Sequence, residues 1–229
     1  GNDWQADGLN VTSIKSENGS FNLDGVHKSY VTSAGHATHY TMFCRVEEFY
    51  TEGPPNLLVV EADQVEWKVL GEWNGLGMRG NSSTPMRFSG TVPEDNLLGA
   101  DQPTGVLCGT YLLPALVLTY GAAYLGIASG AYELGCIEAA KRYPNGDRRI
   151  DSPVRQRRMA EISAQIEAAR ALLHSAASAA DQGRIITPLP FIQAKVLCAE
   201  AAVRVTQDLM TMFGGTAFAR TLPFERYFR

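Results

Sequence analysis

The glycine-rich segment at residues 75–80 is the first stretch whose spacing could bind a ligand. Its order, Gly-Leu-Gly-Met-Arg-Gly, fits the GxGxxG pattern. Such glycines bind a dinucleotide when they join a strand to a helix, because the helix N-terminus then faces the pyrophosphate. Here the polar residues 81–85 come next, followed by a predicted strand at residues 86–92. Since no helix follows, we interpret the glycines as a tight turn between strands.

Three histidines lie near a cysteine in the sequence and raise the question of a metal site: His27, His36 and His39, with Cys44. Residues three apart converge on a helix, but in a strand they point to opposite faces. The pattern here is typical of loop and strand, so we expect no metal site. His174 lies on an alanine-rich helix without a second ligand nearby and is interpreted as structural.

Five arginines form a basic cluster in the sequence: Arg148, Arg149, Arg155, Arg157 and Arg158. One interpretation is a solvated helix face. The other is a site for an anionic ligand such as the phosphates of a nucleotide, because a guanidinium matches phosphate geometry. A nucleic acid would need a wider basic surface than this chain offers.

The segment Phe213-Gly214-Gly215-Thr216 ends a predicted helix. Glycine at this position is commonly a helix cap, and paired glycines also let another molecule approach the backbone, so both interpretations stay open. No serine–histidine–acid arrangement stands out. Glu133 and Glu138 are five residues apart, too far around a helix to form a carboxylate pair.

The composition is that of a globular protein and restricts its partners. The chain has 229 residues, of which 45% are hydrophobic and 19% charged, with a net charge of −4. The apolar content excludes wholesale disorder, and the mild acidity argues against a nucleic-acid binder. The charged fraction is below the usual ~25%, which favours surface buried between subunits. The longest apolar stretch, at residues 106–127, is interrupted by Pro114 and Thr119, so no membrane span is expected.

The cysteines and the N-terminus bear on the cellular location. Cys44, Cys108, Cys136 and Cys198 are scattered and form no CxxC pair. The first residues lack the basic and apolar regions of a signal peptide. We therefore expect reduced thiols in a cytoplasmic protein.

The first 100 residues have the pattern of a β-domain. Asn18-Gly19 and Asp24-Gly25 are turn signals. Short stretches rich in β-branched and aromatic residues predict strands at residues 9–16, 20–23, 26–33, 39–47, 56–61, 65–70 and 86–92. Such spacing is typical of a small antiparallel sandwich or barrel.

From about Gly105 the period changes to that of helices. The first predicted helix covers residues 106–142, and Pro114 bends it or marks its start. The second begins at Ser152-Pro153 and stops at Gly183, and the third follows Thr187-Pro188. The fold class is therefore α+β, an antiparallel sandwich followed by a helical bundle. Three helices bury little surface alone, so a fourth helix or a partner chain is expected.

Several motifs in order resemble the acyl-CoA dehydrogenase superfamily of flavoproteins. They lie at residues 24–35, 76–83, 92–94, 98–99, 124–128, 142–146, 213–215 and 223–226. The resemblance implies a middle β-domain at residues 1–100 and a C-terminal helical domain at 101–229, without the N-terminal helical domain of the family. We therefore expect the chain to be a fragment that also lacks the last C-terminal segment.

The resemblance also assigns residues of the β-domain to ligands. Tyr30 and Thr32 would contact the ring of FAD, with Tyr30 in place of the usual tryptophan. Tyrosine can still stack, and the Thr32 hydroxyl would bond the ring near N5. Asn2, in the segment that aligns with a family loop, would contact the substrate.

In the helical domain, the resemblance implies contacts with FAD held by a neighbouring subunit. Arg142 would meet its pyrophosphate. Phe213, Gly214 and Gly215 would lie near its adenosine half. A shared site of this kind requires at least a dimer, and the family is typically a tetramer, a dimer of dimers.

The activity implied is α,β-dehydrogenation of an acyl-CoA, in which a carboxylate removes the α-proton and hydride passes to flavin N5. The chain departs from the family at Pro153, where a glutamine is usual, and at Val117, where an arginine is common. For the catalytic glutamate, one family position would lie beyond Arg229, and the alternative, in the first helix, falls near Leu116, which cannot take a proton. The catalytic residue is therefore unknown. A flavin-dependent monooxygenase of the same superfamily and a non-catalytic subunit completing a partner's flavin site remain alternatives, and the acyl chain length stays open.

Overall fold

The computed structural model describes residues 12–46, 56–99, 108–184, 187–220 and 222–229. The chain forms two compact units, Gly1–Tyr111 and Leu112–Arg229. The domain boundary predicted after residue 100 lies outside the described residues.

The first unit is a sandwich of two four-stranded sheets. Its strands are β1 (Thr12–Ile14), β2 (Ser16–Glu17), β3 (Ser20–Val31), β4 (His39–Val46), β5 (Asn56–Glu61), β6 (Val65–Val69), β7 (Thr84–Pro93) and β8 (Leu97–Leu98). One sheet has the order β1-β4-β5-β8 and the other β2-β3-β7-β6. All neighbours are antiparallel except β1 and β4, which pair in parallel. With the helices of the second unit, this confirms the predicted α+β fold class.

Alternating side chains from both sheets form the core of this unit, as the period of two requires. Tyr40 of β4 meets Phe88 of β7 edge to face, with ring centroids 5.4 Å apart. This contact joins the two sheets. The fully buried residues around it include Phe21, Leu23, Leu58, Val60, Met86 and Val92.

Of the two predicted turns in the β-domain, one is present in the structure and one is not. Asn18 and Gly19 form the expected turn between β2 and β3, with φ values of 53° and 77°. The predicted turn at Asp24-Gly25 is wrong, because β3 runs through both residues. Gly25 has φ 61° and lies at a bulge, where the strand bends without reversing. Glycine suits both structures, so the dipeptide alone did not distinguish them.

Strand β3 contains two register shifts against β7, one between Leu23 and Val26 and one between Lys28 and Val31. Each shift adds one residue to β3 and so exchanges the faces of the side chains that follow. Leu23 and Val26 are both buried although they are three residues apart. After the second shift, Val31 packs against the core and Tyr30 is exposed.

The second unit contains three long helices: α1 (Leu113–Ala140), α2 (Pro153–Asp181) and α3 (Leu189–Phe213). Two short helices follow, α4 (Gly215–Phe218) and α5 (Phe224–Phe228). A π-helical turn, Cys108–Leu112, precedes α1, and Pro114 lies in the first turn of α1, where the missing N–H costs nothing. The predicted stop of α2 is confirmed, since Gly183 has φ 62° just beyond its last residue.

The core of the second unit is formed by the inner faces of the three long helices. Gly121 and Gly135 let α1 lie close to Leu173 and Leu209 on its neighbours. Phe224 of α5 is 2% exposed and closes one end of this core. Other buried members are Leu125, Ile162, Ile166, Val205 and Phe213.

The outer face of α1 is apolar and uncovered. Tyr120 and Ile137 of α1 are more than half exposed, as is Tyr111 in the turn before it, and 17% of the most apolar window of Thr110–Ala140 is buried within the chain. Among the described residues this one segment is long and apolar enough to cross a membrane. Length and composition alone give weak evidence, because a core helix of a soluble protein meets the same criteria.

Candidate functional site

Tyr30 is the second-last residue of β3, and Thr32 directly follows the strand. Tyr30 is 64% exposed, whereas Val31 between them packs against the core of the sandwich. The Thr32 Oγ1 atom lies 3.3 Å from the Ser83 hydroxyl oxygen, and the two share a hydrogen bond. An exposed aromatic ring and a hydroxyl group thus lie two residues apart, and such groups can stack on a planar ring and bond its edge.

The chain after Thr32 is held in place by the segment that precedes β7. The Ser33 N–H donates to the Asn81 carbonyl at 2.8 Å, and the Ala34 N–H donates to the Ser82 carbonyl at 3.1 Å. The Gly35 N–H donates to the Tyr40 hydroxyl at 3.0 Å. These bonds fix the backbone beside Thr32, so its hydroxyl is positioned before any ligand arrives.

The GxGxxG segment at residues 75–80 is a turn, as predicted, and strand β7 follows it. Trp73 donates its Nε1–H to the Met78 carbonyl at 2.8 Å. A Cβ at Gly75 would lie 2.5 Å from the Trp73 ring. Trp73 therefore explains the glycine at position 75 without a phosphate.

In the second unit, Arg142 lies in a tight turn between α1 and α2. Its Nη1 atom donates to the Gly146 carbonyl at 2.8 Å. The Tyr143 N–H donates to the Asp147 carbonyl at 2.8 Å, and Arg142 and Arg148 form a β-bridge. The turn holds the Arg142 guanidinium at an exposed position.

The turn at Gly214 and Gly215 ends α3, as the cap interpretation predicts. Gly214 has φ 58° and donates its N–H to the Met210 carbonyl at 2.9 Å. Phe213 is 3% exposed and stacks on Phe224 with ring centroids 4.8 Å apart. A Cβ at either glycine would meet no atom within 4 Å. The Phe213 ring thus belongs to the core, and the open surface at this turn is glycine backbone.

Arg149 connects these two turns. Its guanidinium carbon lies 5.3 Å from the Tyr143 ring centroid and 5.4 Å from the Phe213 ring centroid. Its Nη2 atom donates to the Thr216 hydroxyl at 3.3 Å. The sequence had grouped Arg149 with its neighbours and did not single it out, because only the fold brings Phe213 and Thr216 to it.

The basic cluster of the sequence separates into paired and unpaired arginines. Arg148 bonds the Asp151 carboxylate at 2.7 Å and holds the pKa of Asp151 below its usual value. Arg157 bonds Glu161 at 3.0 Å, and Arg158 bonds Glu161 and Asp208. Hydrogen bonds from Arg157 and Arg158 lower the pKa of Glu161. The described acids make no ion pair with Arg142 or Arg149.

Three kinds of candidate remain: metal-binding side chains, the cysteine thiols, and the positions of the base and of the substrate contact. Within the described ranges, no three His, Cys, Asp or Glu side chains cluster closely enough to hold a metal ion. Burial raises the pKa of the Cys44 thiol to about 12, with Lys28 opposing the shift, and also raises the pKa of Cys198. Leu116, at one family position for the base, is 41% exposed on α1 and carries no ionisable group. Asn2 lies outside the described residues.

Comparison with protein-family models matches both units to one family. Residues 3–91 match the acyl-CoA dehydrogenase middle domain. Residues 117–229 match the acyl-CoA dehydrogenase C-terminal domain.

Two curated relatives illustrate the range of the matches. A cyclohexane-1-carbonyl-CoA dehydrogenase from Geobacter metallireducens is 31% identical over 203 residues, which is 88% of this chain and 53% of the relative. An amino sugar nitrososynthase from Streptomyces peucetius is 30% identical over 237 aligned positions, covering 94% of this chain and 55% of the relative. The chain thus spans about half the length of these relatives.

Solved structures match in fold. Butyryl-CoA dehydrogenase from Megasphaera elsdenii superposes with a TM-score of 0.83 over 95% of this chain and 56% of that protein, at 22% identity. The fold, the two family models and the curated relatives agree, and the chain belongs to the acyl-CoA dehydrogenase superfamily.

Proposed function

We propose that this chain is the middle and C-terminal part of an FAD-dependent acyl-CoA dehydrogenase. The observation that carries the proposal is its 31% identity, over 88% of its length, to a dehydrogenase of a CoA thioester. We further propose an acyl-CoA substrate, a homotetrameric assembly and a cytoplasmic location.

In each unit, taken separately, described residues suit a part of a flavin dinucleotide. The exposed Tyr30 ring and the Thr32 hydroxyl suit the edge and face of a planar ring. Arg142 makes no ion pair with a described acid, and a Cβ at Gly214 would have no neighbour within 4 Å. When bound, FAD supplies the acceptor for the hydride that leaves the substrate.

Each of these residues has a distinct part in the proposal. Tyr30 stacks on the ring system and keeps water from it. Thr32 donates its hydroxyl to the ring edge, while Ser83 holds that hydroxyl in position. Arg142 binds the pyrophosphate of the FAD of a neighbouring subunit. The base that takes the α-proton is supplied by none of these residues.

The test is a spectrum of the purified protein that carries this chain. We expect a flavin absorbance that acyl-CoA bleaches without oxygen, in a panel that includes cyclohexane-1-carbonyl-CoA. A flavin that stays oxidised with every thioester would reject the dehydrogenase assignment.

A second candidate function is a flavin-dependent monooxygenase. Leu116 at the position of one family base cannot accept a proton, and an amino sugar nitrososynthase is 30% identical to the chain. Chemistry with reduced flavin and oxygen needs no α-proton base. Oxygen uptake that depends on reduced flavin and an amino sugar, with no bleaching by thioesters, would favour this candidate.

A further inference from the structure

We propose that Arg149 is a phosphate-binding residue that takes, together with Arg142, the diphosphate group of an adenine nucleotide. The inference rests on the proposed function, because FAD and acyl-CoA both contain adenosine diphosphate. It adds a residue that the sequence resemblance did not assign.

The first argument is that the Arg149 guanidinium is held before a ligand binds. It lies 5.3 Å from the Tyr143 ring centroid and 5.4 Å from the Phe213 ring centroid. A cation over an aromatic face is attracted to that face, and the N–H groups remain in the guanidinium plane. The bond to the Thr216 hydroxyl adds a third contact, at 3.3 Å. A side chain that is already ordered loses little entropy when it binds.

The second argument is charge. Arg148 is neutralised by Asp151, and Arg158 by Glu161 and Asp208. In the part of the chain that the structure describes, no carboxylate lies within 4.0 Å of Arg149 or Arg142. Asp151 is paired with Arg148, and the nearby charge of Arg142 adds to the lowering of its pKa. Neither Arg149 nor Arg142 is held in an ion pair by a described acid, and phosphate oxygens are preferred partners of arginine.

The third argument is space. A Cβ at Gly146, Gly214 or Gly215 would have no neighbour within 4 Å. Gly146 accepts the hydrogen bond of Arg142, and Gly215 precedes the Thr216 that bonds Arg149. The two arginines are thus attached to turns whose backbone is open to an approaching molecule.

The experiment is calorimetric titration of the whole protein with ADP, FAD and CoA, each as a separate probe. We expect Arg149→Gln to weaken binding of the diphosphate roughly tenfold, the size of a lost charged hydrogen bond. Arg149→Lys keeps the positive charge but lacks the planar guanidinium. Its affinity for the diphosphate should lie between those of the wild type and Arg149→Gln. The matched control is Arg157→Gln, because Arg157 is exposed and pairs with Glu161. This variant should bind each probe with the affinity of the wild type.

The probes separate the sources of the diphosphate. Weaker FAD binding with unchanged CoA binding assigns Arg149 to the flavin, and the reverse assigns it to the thioester. Equal affinities of Arg149→Gln and the wild type for all three probes would overturn the proposal, as would a wild type that binds none of them. A lower melting temperature with unchanged affinities means a structural role only, which also overturns it. Arg149-dependent binding of ADP or CoA without any flavin uptake would support the site and reject the flavin function.

Discussion

Leu209 of α3 packs directly on the backbone of Gly135 in α1, so closely that a Cβ on Gly135 would lie 2.7 Å from Leu209 Cδ2. Leu209 is fully buried, so it has little room to move aside. Gly135→Val should therefore lower the free energy of unfolding by roughly 1–3 kcal/mol, as overpacked cores do. Chemical denaturation followed by circular dichroism measures the change.

The control for this substitution is Gly126→Val on the same helix. A Cβ at Gly126 would have no neighbour within 4 Å. We expect its stability to stay within about 0.5 kcal/mol of the wild type. Equal losses for the two variants would contradict the prediction that the contact with Leu209 sets the cost.

The Thr32 hydroxyl provides a second prediction. Thr32→Val removes the hydroxyl but keeps the shape of the side chain, so FAD binding should weaken about three- to tenfold, the value of one hydrogen bond. Quenching of flavin fluorescence measures the affinity. Thr32→Ser keeps the hydroxyl and should bind FAD like the wild type. If valine and serine bind equally well, the hydroxyl has no part in the site.

Alanine substitutions at Gly214 and Gly215 distinguish the two roles of glycine at this turn, the backbone conformation and the contact with a ligand. Gly214 has φ 58° and ψ −134°, which is a glycine conformation, so Gly214→Ala should cost about 1–3 kcal/mol of stability. Gly215 begins α4 with an ordinary φ, and Gly215→Ala should leave the melting temperature unchanged. Both variants place a methyl group in the open space and should weaken nucleotide binding. Unchanged binding in Gly215→Ala would argue against a ligand at this turn.

The raised pKa of the Cys44 thiol predicts that the folded protein loses stability at high pH. Burial raises its pKa from 9.0 to about 12, so above pH 9 the unfolded chain loses this proton before the folded chain does. The stability from the protonated thiol is complete below pH 9 and declines as the pH rises towards 12. The slope is at most about 1.4 kcal/mol per pH unit.

Denaturation series at several pH values, for the wild type and Cys44→Ala, check this prediction. Lysines and tyrosines also titrate in this range, so the difference between the two proteins is the relevant quantity. The alanine variant should be less stable at pH 8 and lose less stability above pH 9. Parallel curves would contradict the raised pKa.

Local sequence signals predicted the elements well where one physical cause determined the outcome. Pro153 and Gly183 marked the two ends of α2, because proline fits the first helical turn and glycine fits the positive φ beyond the last. Asp24-Gly25 failed because the same dipeptide serves a turn and a bulge, and only pairing with β7 decides between them.

The candidate site was less predictable, since it depends on residues that are distant in sequence. Arg149 looked like one charge among five until the fold placed Phe213 and Thr216 beside it. Arg157 and Arg158 both pair with Glu161, one helical turn away, as their i,i+4 and i,i+3 spacing predicts. Arg149 has no acidic residue three or four positions away in the sequence, so the same spacing predicts no local ion pair for it.

The second register shift in β3 has a consequence for chain-length changes. Lys28 pairs with Met86 and Val31 with Thr84, so three steps along β3 match two along β7. Deleting Ser29 would equalise the two stretches, and Val31 would keep Thr84 as its partner. The shortened strand would therefore retain its inward valine and its exposed tyrosine, and only the local bend that the surplus residue produces would be lost.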